Sequence, residues 1–249
     1  MNIVWKTNDD CLQIFKAIAK TNTIINVVFT SSGMQMMGMD SSKTSLVQLV
    51  LPAEYFEIYQ CTTPLEIGIY TSSMVAILSK VKKNKLTWKS SGSESLTICL
   101  ENGDTTTEFR LRSVDVEEDV LDIPNITDDV ELRMNPTILV SILDNFIMAK
   151  SGLKIKVDSN NIYMSAQSVE FGTIWHKEPL NGGNIDCTLR EEVSLMFGYN
   201  AIVLLLTFAK VSKLQCFLGL SNEMPLRLKM TIGSGGSLSL YSAPRISEE

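Results

Sequence analysis

The chain has 249 residues, 45 % of them hydrophobic and 20 % charged, and a formal net charge of −6. These proportions are typical of a folded globular protein and exclude an intrinsically disordered chain. The negative charge excludes a protein that holds nucleic acid by bulk attraction, because such binding depends on Lys and Arg side chains that neutralise phosphates.

We expect a soluble, unsecreted protein. The longest strongly apolar run, residues 201–209, is far shorter than the roughly 20 residues of a membrane-spanning helix, and the N-terminal residues lack a basic region followed by an apolar one. Structural zinc sites usually need closely spaced ligand pairs, and the cysteines form no CxxC pair. Reduced structural thiols are therefore predicted at Cys11, Cys61, Cys99, Cys187 and Cys216.

Four segments have the periodicity of amphipathic helices. Residues 9–20 have apolar side chains every three to four positions and acidic side chains at their start, where the helix dipole favours them. Residues 72–81 predict a second helix, with Ser72 or Ser73 as its N-cap. A third helix is predicted over residues 136–150, and a fourth begins near Asn200.

Alternating or β-branched runs between these helices predict antiparallel strands. Asn-Gly, Ser-Gly and Gly-Gly pairs, which are typical of tight turns, punctuate the runs. The predicted strands cover residues 44–51, 96–100, 109–116, 153–157 and 226–232.

The two halves of the chain resemble each other at one constant offset, which is the separation of Phe29 and Val157. Phe29–Met34 lines up with Val157–Ile162 as strand, polar turn and strand. One offset without gaps predicts two similar domains of α+β class, each with two helices on antiparallel sheet. The other matches are Leu12, Phe15 and Ile18 with Val140, Leu143 and Phe146; Ile77-Leu78 with Leu205-Leu206; Leu86 with Leu214; and Ile98 and Leu100 with Leu226 and Leu228.

Residues 115–128 separate the halves, and their acidic side chains and Pro124 are typical of an exposed connector. We therefore predict an N-terminal domain over residues 1–114, a connecting loop over 115–128 and a C-terminal domain over 129–249. Two interpretations are open for the apolar residues of the loop, among them Leu121 and Ile123. They pack on their own domain, or they line a surface groove that accepts partners.

Nothing in the sequence has the spacing of a catalytic site. His176, the single histidine, has no serine or cysteine nucleophile at motif spacing. Gly233–Gly236 lacks the Lys-Ser/Thr pair and helix of a phosphate-binding loop. The acidic pairs Asp9-Asp10 and Asp128-Asp129 are explained by a helix start and a loop. We predict a protein that is not an enzyme and has no metal or cofactor.

Several short motifs resemble the proliferating cell nuclear antigen family. In the first half they are Ser31-Ser32-Gly33, Met39-Asp40-Ser41-Ser42 and Tyr59-Gln60-Cys61. Near the end of the chain, Met224-Pro225-Leu226 and Tyr241–Ile246 resemble the last strands and the C-terminal segment of that family. The similarity extends over essentially the whole chain.

The resemblance implies a DNA sliding clamp. It predicts a homotrimeric ring with pseudo-sixfold symmetry, with helices lining a channel for double-stranded DNA and sheets forming the outside. Its partners would be DNA polymerase, replication and repair proteins that carry clamp-binding motifs, and a clamp loader. The resemblance also predicts a nuclear protein, or one at a cytoplasmic viral replication site if the source is viral.

The channel lysines implied by the resemblance lie on, or just after, the predicted helices. Ala76 and Ser79 stand at two places where family members usually have lysine, and the third helix exposes Ser141, Asp144 and Asn145. We therefore expect uneven DNA contact around the ring. The predicted channel residues are Lys16, Lys20, Lys80, Lys82, Lys83, Lys85, Lys150, Lys210 and Lys213.

The resemblance also implies a groove for short partner motifs, and methionines give such a groove adaptable walls. Thr44 replaces an aliphatic residue common in the family, and Lys43 replaces a frequent histidine, so partner motifs can differ. The groove residues are Met39, Leu46, Leu121, Ile123, Pro124, Met224, Pro225, Tyr241, Ala243, Pro244 and Ile246.

Subunits of this family join through edge strands, which here implies pairing of Thr107–Arg112 with Val169–Trp175 of a neighbour. The alternative is that the apolar residues of these segments pack inside their own sheets. The predicted interface residues are Phe109, Arg110, Leu111, Arg112, Phe171 and Trp175.

The sequence is compatible with two other functions. A checkpoint-type clamp would assemble with two different subunits, and its own two edges would not be complementary to each other. A monomeric processivity factor would bind DNA by charge, which requires one continuous basic face and a steep salt dependence.

Overall fold

The structure is a computed structural model that describes residues 1–6, 8–82, 84–116, 127–180 and 183–245, with backbone alone for residues 8 and 9. Within these ranges the chain forms two compact units, one from Met1–Leu121 with Ile232–Leu238 and one from Asp122–Thr231 with Ser239–Glu249. Each unit combines two helices with antiparallel strands, which confirms the predicted α+β class. No helix of the described residues is long and apolar enough to cross a membrane.

The first half of the chain contains two α-helices, a short 3₁₀ helix (Ala53–Tyr55) and nine strands among its described residues. Two sets of neighbouring strands, in the orders β5-β1-β7-β8-β9 and β4-β3-β2-β6, pair antiparallel. The elements are β1 (Asn2–Val4), α1 (Asn8–Ile18), β2 (Ile24–Thr30), β3 (Gly33–Met39), β4 (Ser45–Pro52), β5 (Ile58–Gln60), β6 (Leu65–Tyr70), α2 (Thr71–Leu78), β7 (Lys85–Lys89), β8 (Ser95–Asn102) and β9 (Thr105–Arg112).

The second half repeats this succession of elements. Its strands follow the orders β14-β10-β16-β17-β18 and β13-β12-β11-β15, so each strand has a counterpart at the same place in the first half. The elements are β10 (Val130–Met134), α3 (Pro136–Ile147), β11 (Leu153–Val157), β12 (Asn161–Ser168), β13 (Gly172–Pro179), β14 (Ile185–Leu189), β15 (Val193–Phe197), α4 (Tyr199–Ala209), β16 (Cys216–Leu220), β17 (Leu226–Ile232) and β18 (Gly236–Ser242).

The two helices of each half lie next to each other, and their apolar faces are buried. Phe15 of α1 and Phe146 of α3 are fully buried, on the apolar faces that the periodicity predicted. The start of α3 is fixed locally, because Pro136 opens the helix and the Asn135 side chain accepts a hydrogen bond from the Thr137 N–H at 2.9 Å. Burial of these faces, more than helix propensity, stabilises such short helices.

The constant offset holds for the helices and fails for the last strands. The starts of α1 and α3, at positions 8 and 136, have the same separation as the starts of α2 and α4, at positions 71 and 199. However, α4 has 11 residues and α2 has 8. As a result, β16 begins at position 216, later than the offset from the start of β7 at position 85 would place it.

This shift makes the predicted match of Leu86 with Leu214 wrong. Leu86 is buried on β7, whereas Leu214 is 56 % exposed in a loop. Because of the same shift, Ile98 and Leu100 of β8 do not occupy the positions in their strand that Leu226 and Leu228 occupy in β17.

The second helix begins one residue earlier than predicted. Tyr70 is its N-cap and makes no side-chain cap hydrogen bond, so the predicted caps Ser72 and Ser73 are wrong. The Thr71 hydroxyl instead donates to the carbonyl oxygens of Asn22 and Thr23, at 2.7 and 3.1 Å. These bonds tie the start of α2 to the segment that follows α1.

Candidate nucleic-acid interface and partner sites

The lysines predicted for a channel are exposed wherever the structure describes them. In the first half, Lys16 lies in the last turn of α1 and Lys20 lies two residues beyond that helix. Lys82 follows α2 with a left-handed backbone, at φ 46°. Lys85 opens β7, and its Nζ lies 4.0 Å from the Glu101 carboxylate on the next strand. Lys83 lies outside the described residues.

Lys80 has an aromatic neighbour. Its Nζ lies over the Phe109 ring, 5.7 Å from the ring centroid, in cation–π geometry. Because Phe109 belongs to β9, this lysine is oriented toward the edge strand of its sheet. The sequence placed Lys80 with the channel and Phe109 with the subunit interface, and the structure shows that the two side chains touch.

In the second half, Lys150, Lys210 and Lys213 are exposed and lie just beyond the ends of α3 and α4. The Lys210 Nζ lies 3.4 Å from Oδ1 of Asp144, which links the two helices. Both side chains are about half exposed, and such surface ion pairs contribute little to stability. Their effect is electrostatic, because Asp144 neutralises one of the few cations on this helix pair.

Two groove residues of the first half, Met39 and Leu46, are half-buried cross-strand partners at the ends of β3 and β4. Asp40 fixes the turn between them. Its carboxylate accepts hydrogen bonds from the N–H groups of Thr44 and Ser45, both at 2.8 Å, and from the Ser42 hydroxyl at 2.6 Å. Burial acts to raise the pKa of Asp40, but these hydrogen bonds outweigh it and hold that pKa below its usual value.

The described groove residues of the second half lie at the start of β17 and the end of β18. Met224, Pro225, Tyr241 and Pro244 are half-buried and Ala243 is exposed. Burial raises the pKa of the Tyr241 hydroxyl. The remaining predicted members of the groove lie outside the described residues: Leu121, Ile123, Pro124 and Ile246.

An ion pair missed by the sequence analysis lies in the same half. Arg227 of β17 donates to the carboxylate of Asp128, whose side chain is 3 % exposed. Burial raises the pKa of this carboxyl, and the neighbouring guanidinium opposes that rise. The two residues are far apart in the sequence, so no local pattern could have revealed the pair.

β9 and β13 each lie at one edge of their sheet. Among the described residues, β9 pairs only with β8 and β13 only with β12. Arg110 and Arg112 of β9 are exposed, and Trp175 of β13 is 62 % exposed.

The predicted segment Thr107–Arg112 lies within β9, whereas Val169–Trp175 needs correction. β13 runs from Gly172 to Pro179, and Val169 and Phe171 lie in the turn before it. Phe171 is 56 % exposed, so the alternative of packing inside its own sheet is wrong for Phe171 and for Trp175. Phe109 and Leu111 are half-buried.

His176 lies on β13 with its Nε2 3.5 Å from the Glu178 carboxylate. Within the described residues, no group of three or more His, Cys, Asp or Glu side chains has the arrangement of a metal site.

The amino-acid sequence is similar to known clamps over most of its length. A family model described as "Proliferating cell nuclear antigen, N-terminal domain" matches residues 10–120. The chain is 29 % identical to the "DNA polymerase sliding clamp" of Methanobrevibacter smithii, over 94 % of this chain and 93 % of that protein. It is 26 % identical to the "Proliferating cell nuclear antigen" of Chaetomium thermophilum, over 88 % of this chain and 87 % of the other.

Proposed function

Because this chain belongs to the proliferating cell nuclear antigen family, we propose that it is a DNA sliding clamp that confers processivity on DNA polymerase. In this proposal three copies close into a ring around duplex DNA. The observation that carries the assembly is the presence of two edge strands, β9 and β13, in different sheets of one chain.

Edge strands expose unpaired N–H and C=O groups that form a template for another strand. Pairing of β9 with β13 of the next copy is a head-to-tail contact, which repeats from copy to copy and closes when the rotation per copy permits. The side chains suit this contact, because Arg110 and Arg112 supply cations on one edge while Glu170 and the exposed Trp175 lie at the other.

A ring explains how an acidic protein functions on DNA. Retention is topological, so the exposed lysines at the helix ends need to supply only modest local attraction. A net charge of −6 and the pairing of Lys210 with Asp144 count against the monomeric factor that binds by charge.

Partner proteins would insert short motifs at the groove residues of the two halves. We propose that Met39 and Leu46 contribute through the turn that Asp40 holds, and that Met224, Pro225, Tyr241, Ala243 and Pro244 contribute from the ends of β17 and β18. Polymerase, repair proteins and a clamp loader are the proposed partners. The proposed location is the nucleus, or a cytoplasmic replication site if the source is viral.

Encirclement can be tested with linear duplex DNA that is fixed to a bead at one end. The protein is allowed to thread over the free end, which is then either blocked with a bulky group or left open. After a wash at about 0.3 M salt, which weakens contacts between exposed charges, we expect retention on the blocked duplex alone. Equal loss from both duplexes would contradict encirclement and favour binding by charge.

A further inference from the structure

A row of basic and aromatic side chains crosses the four-stranded sheet of the second half. Lys156 of β11 is the cross-strand partner of Tyr163 on β12, and Tyr163 is the partner of Lys177 on β13. Lys154 and Ser165 form the neighbouring row. These side chains lie on the face opposite to the core, since alternate residues of β11 are buried.

The row borders a shallow concave site. Its volume is about 320 Å³, and Lys154, Lys156, Asp158, Tyr163 and Ser165 line it. The Lys177 Nζ lies 5.5 Å from the centroid of the Tyr163 ring. Adjacent strands are about 4.8 Å apart and alternate residues of a strand about 6.7 Å apart, so Lys154, Lys156 and Lys177 occupy positions next to Tyr163 on this face.

These three lysines differ from those of the helices in their neighbours. Lys85 and Lys210 each have a carboxylate partner, whereas within the described part of the chain Lys154, Lys156 and Lys177 form no ion pair with a carboxylate. Lys156 interacts electrostatically with Asp158, which lines the same site, so three lysines face one carboxylate and the sheet face keeps a net positive charge for an outside anion.

The internal repeat supplies a comparison for this surface. At the equivalent register of the first half, the row is Val28, Gln35 and Val50 on β2, β3 and β4. The fold thus requires neither the lysines nor the tyrosine at these places. The basic row is a property of the second half alone, in a protein whose net charge is −6.

We propose that this sheet face binds single-stranded nucleic acid, a function beyond duplex encirclement and independent of it. Lys154, Lys156 and Lys177 would neutralise consecutive phosphates, and the half-buried Tyr163 ring would stack on a base, which is how single strands are commonly held. Trp175 is not needed for this site, because we assign it to the subunit contact.

Asp158 favours nucleic acid over an acidic peptide. Its carboxylate accepts hydrogen bonds from the N–H groups of Asn160 and Asn161, both at 2.9 Å, which hold it at the rim of the site. It repels the carboxylates of an acidic peptide as much as it repels phosphates. A base, however, can carry an exocyclic amino group, which donates hydrogen bonds that the Asp158 carboxylate can accept. Acidic side chains have no such donor.

The test uses fluorescence anisotropy of a labelled single-stranded oligodeoxycytidylate, whose bases carry exocyclic amino groups, with the full chain. The variant Lys154→Gln/Lys156→Gln/Lys177→Gln removes the proposed phosphate contacts. The control variant Lys6→Gln/Lys89→Gln/Lys229→Gln changes the net charge equally through exposed lysines elsewhere. We expect the first variant to weaken binding about 10- to 100-fold at 0.1 M salt. It should also reduce the slope of log K against log salt concentration by about 2, because each lost phosphate contact accounts for about 0.7 on a single strand. The control variant should change neither the affinity nor the slope. Equal loss in both variants would overturn the proposal.

The stacking step has its own variant. Tyr163→Leu keeps the charge and should weaken strand binding at least about fivefold. If Tyr163→Leu has no effect and a glutamate-rich peptide of equal charge displaces the strand, the site binds acidic peptides and the assignment to nucleic acid is overturned. Duplex retention on beads should remain at the wild-type level in Lys154→Gln/Lys156→Gln, because both positions lie on β11 and not on the contact strand β13. Failure of one proposal then does not imply failure of the other.

Discussion

At the scale of single residues, Asp144 on α3 reduces the positive charge at the ends of α3 and α4, because its carboxylate contacts the ammonium group of Lys210. We expect Asp144→Asn to free this ammonium group for one additional phosphate. The slope of log K for duplex binding against log salt concentration, measured by anisotropy, should then become more negative by about 0.9. Asp186→Asn, on the exposed face of β14, changes the net charge equally and serves as the control. Equal effects of both variants would show that net charge, and not Lys210, is responsible.

Asp40 makes the turn between β3 and β4 sensitive to pH. Its pKa is lower in the folded protein than in the unfolded chain, so the stability it contributes is fully present above the unfolded pKa of about 4 and is lost as the pH falls through the folded value. We expect Asp40→Asn to lower the free energy of unfolding by about 1 to 2 kcal/mol at pH 7. The difference from wild type should shrink at about pH 3, and urea unfolding at both pH values measures it.

Asp104→Asn, in the exposed turn between β8 and β9, is the control for Asp40→Asn. Its effect should stay within about 0.5 kcal/mol. A wild-type advantage over Asp40→Asn that is the same at pH 3 and pH 7 would rule out the charged form of Asp40 as the source of stability.

The sequence predicted which lysines are exposed but not what they touch. Helical periodicity decides which side of a helix faces solvent, and the exposure of Lys16 and Lys20 follows from it. The contacts of Lys80 with Phe109 and of Lys210 with Asp144 depend on how elements pack, which periodicity does not encode. In the sequence, the basic row of β11, β12 and β13 is visible only as the alternation of apolar residues and lysines over residues 153–157. That Lys177 belongs to the same row follows only from the strand register.

At the scale of elements, the edge strands carry the proposed assembly. Trp175 on β13 is 62 % exposed, so Trp175→Ala should leave the unfolding temperature of the isolated chain nearly unchanged. A buried tryptophan at an interface commonly contributes about 2 kcal/mol or more. A closed trimer has three such contacts, and its midpoint concentration varies as the square root of its dissociation constant. We therefore expect the trimer of this variant to dissociate at a roughly 150-fold higher protein concentration, as measured by light scattering.

Met196→Ala on β15 is the matched control for Trp175→Ala. Met196 is also exposed, at 40 %, but β15 lies at the opposite end of the strand order from β13. If both variants dissociate as wild type does, β13 is not the contact strand.

Helix starts were more predictable than the later strands. The constant offset between the halves located α3 and α4, because equivalent apolar faces keep their spacing. The additional residues of α4 relative to α2 are not marked by any turn residue, and they shift every strand that follows. A gapless match cannot detect such an insertion inside an apolar helix.

At the scale of the whole molecule, the solution mass of the isolated chain distinguishes a homotrimer from a subunit that needs two different partners. Light scattering across a dilution series should give three times the chain mass of 27.7 kDa if the edges of one chain complement each other. A persistent monomer would contradict the homotrimer and favour a clamp that needs two other subunits, or one that closes only around DNA.

The internal repeat also has an evolutionary consequence. Two copies of one topology in a single chain are what a tandem gene duplication leaves behind. In an ancestor with one unit, every copy would carry every surface feature, because all copies would be translated from the same gene. After fusion the two copies are free to diverge, as Lys156, Tyr163 and Lys177 differ from their counterparts in the first half. Selection can then alter one half of the molecule while the other keeps its inherited surface.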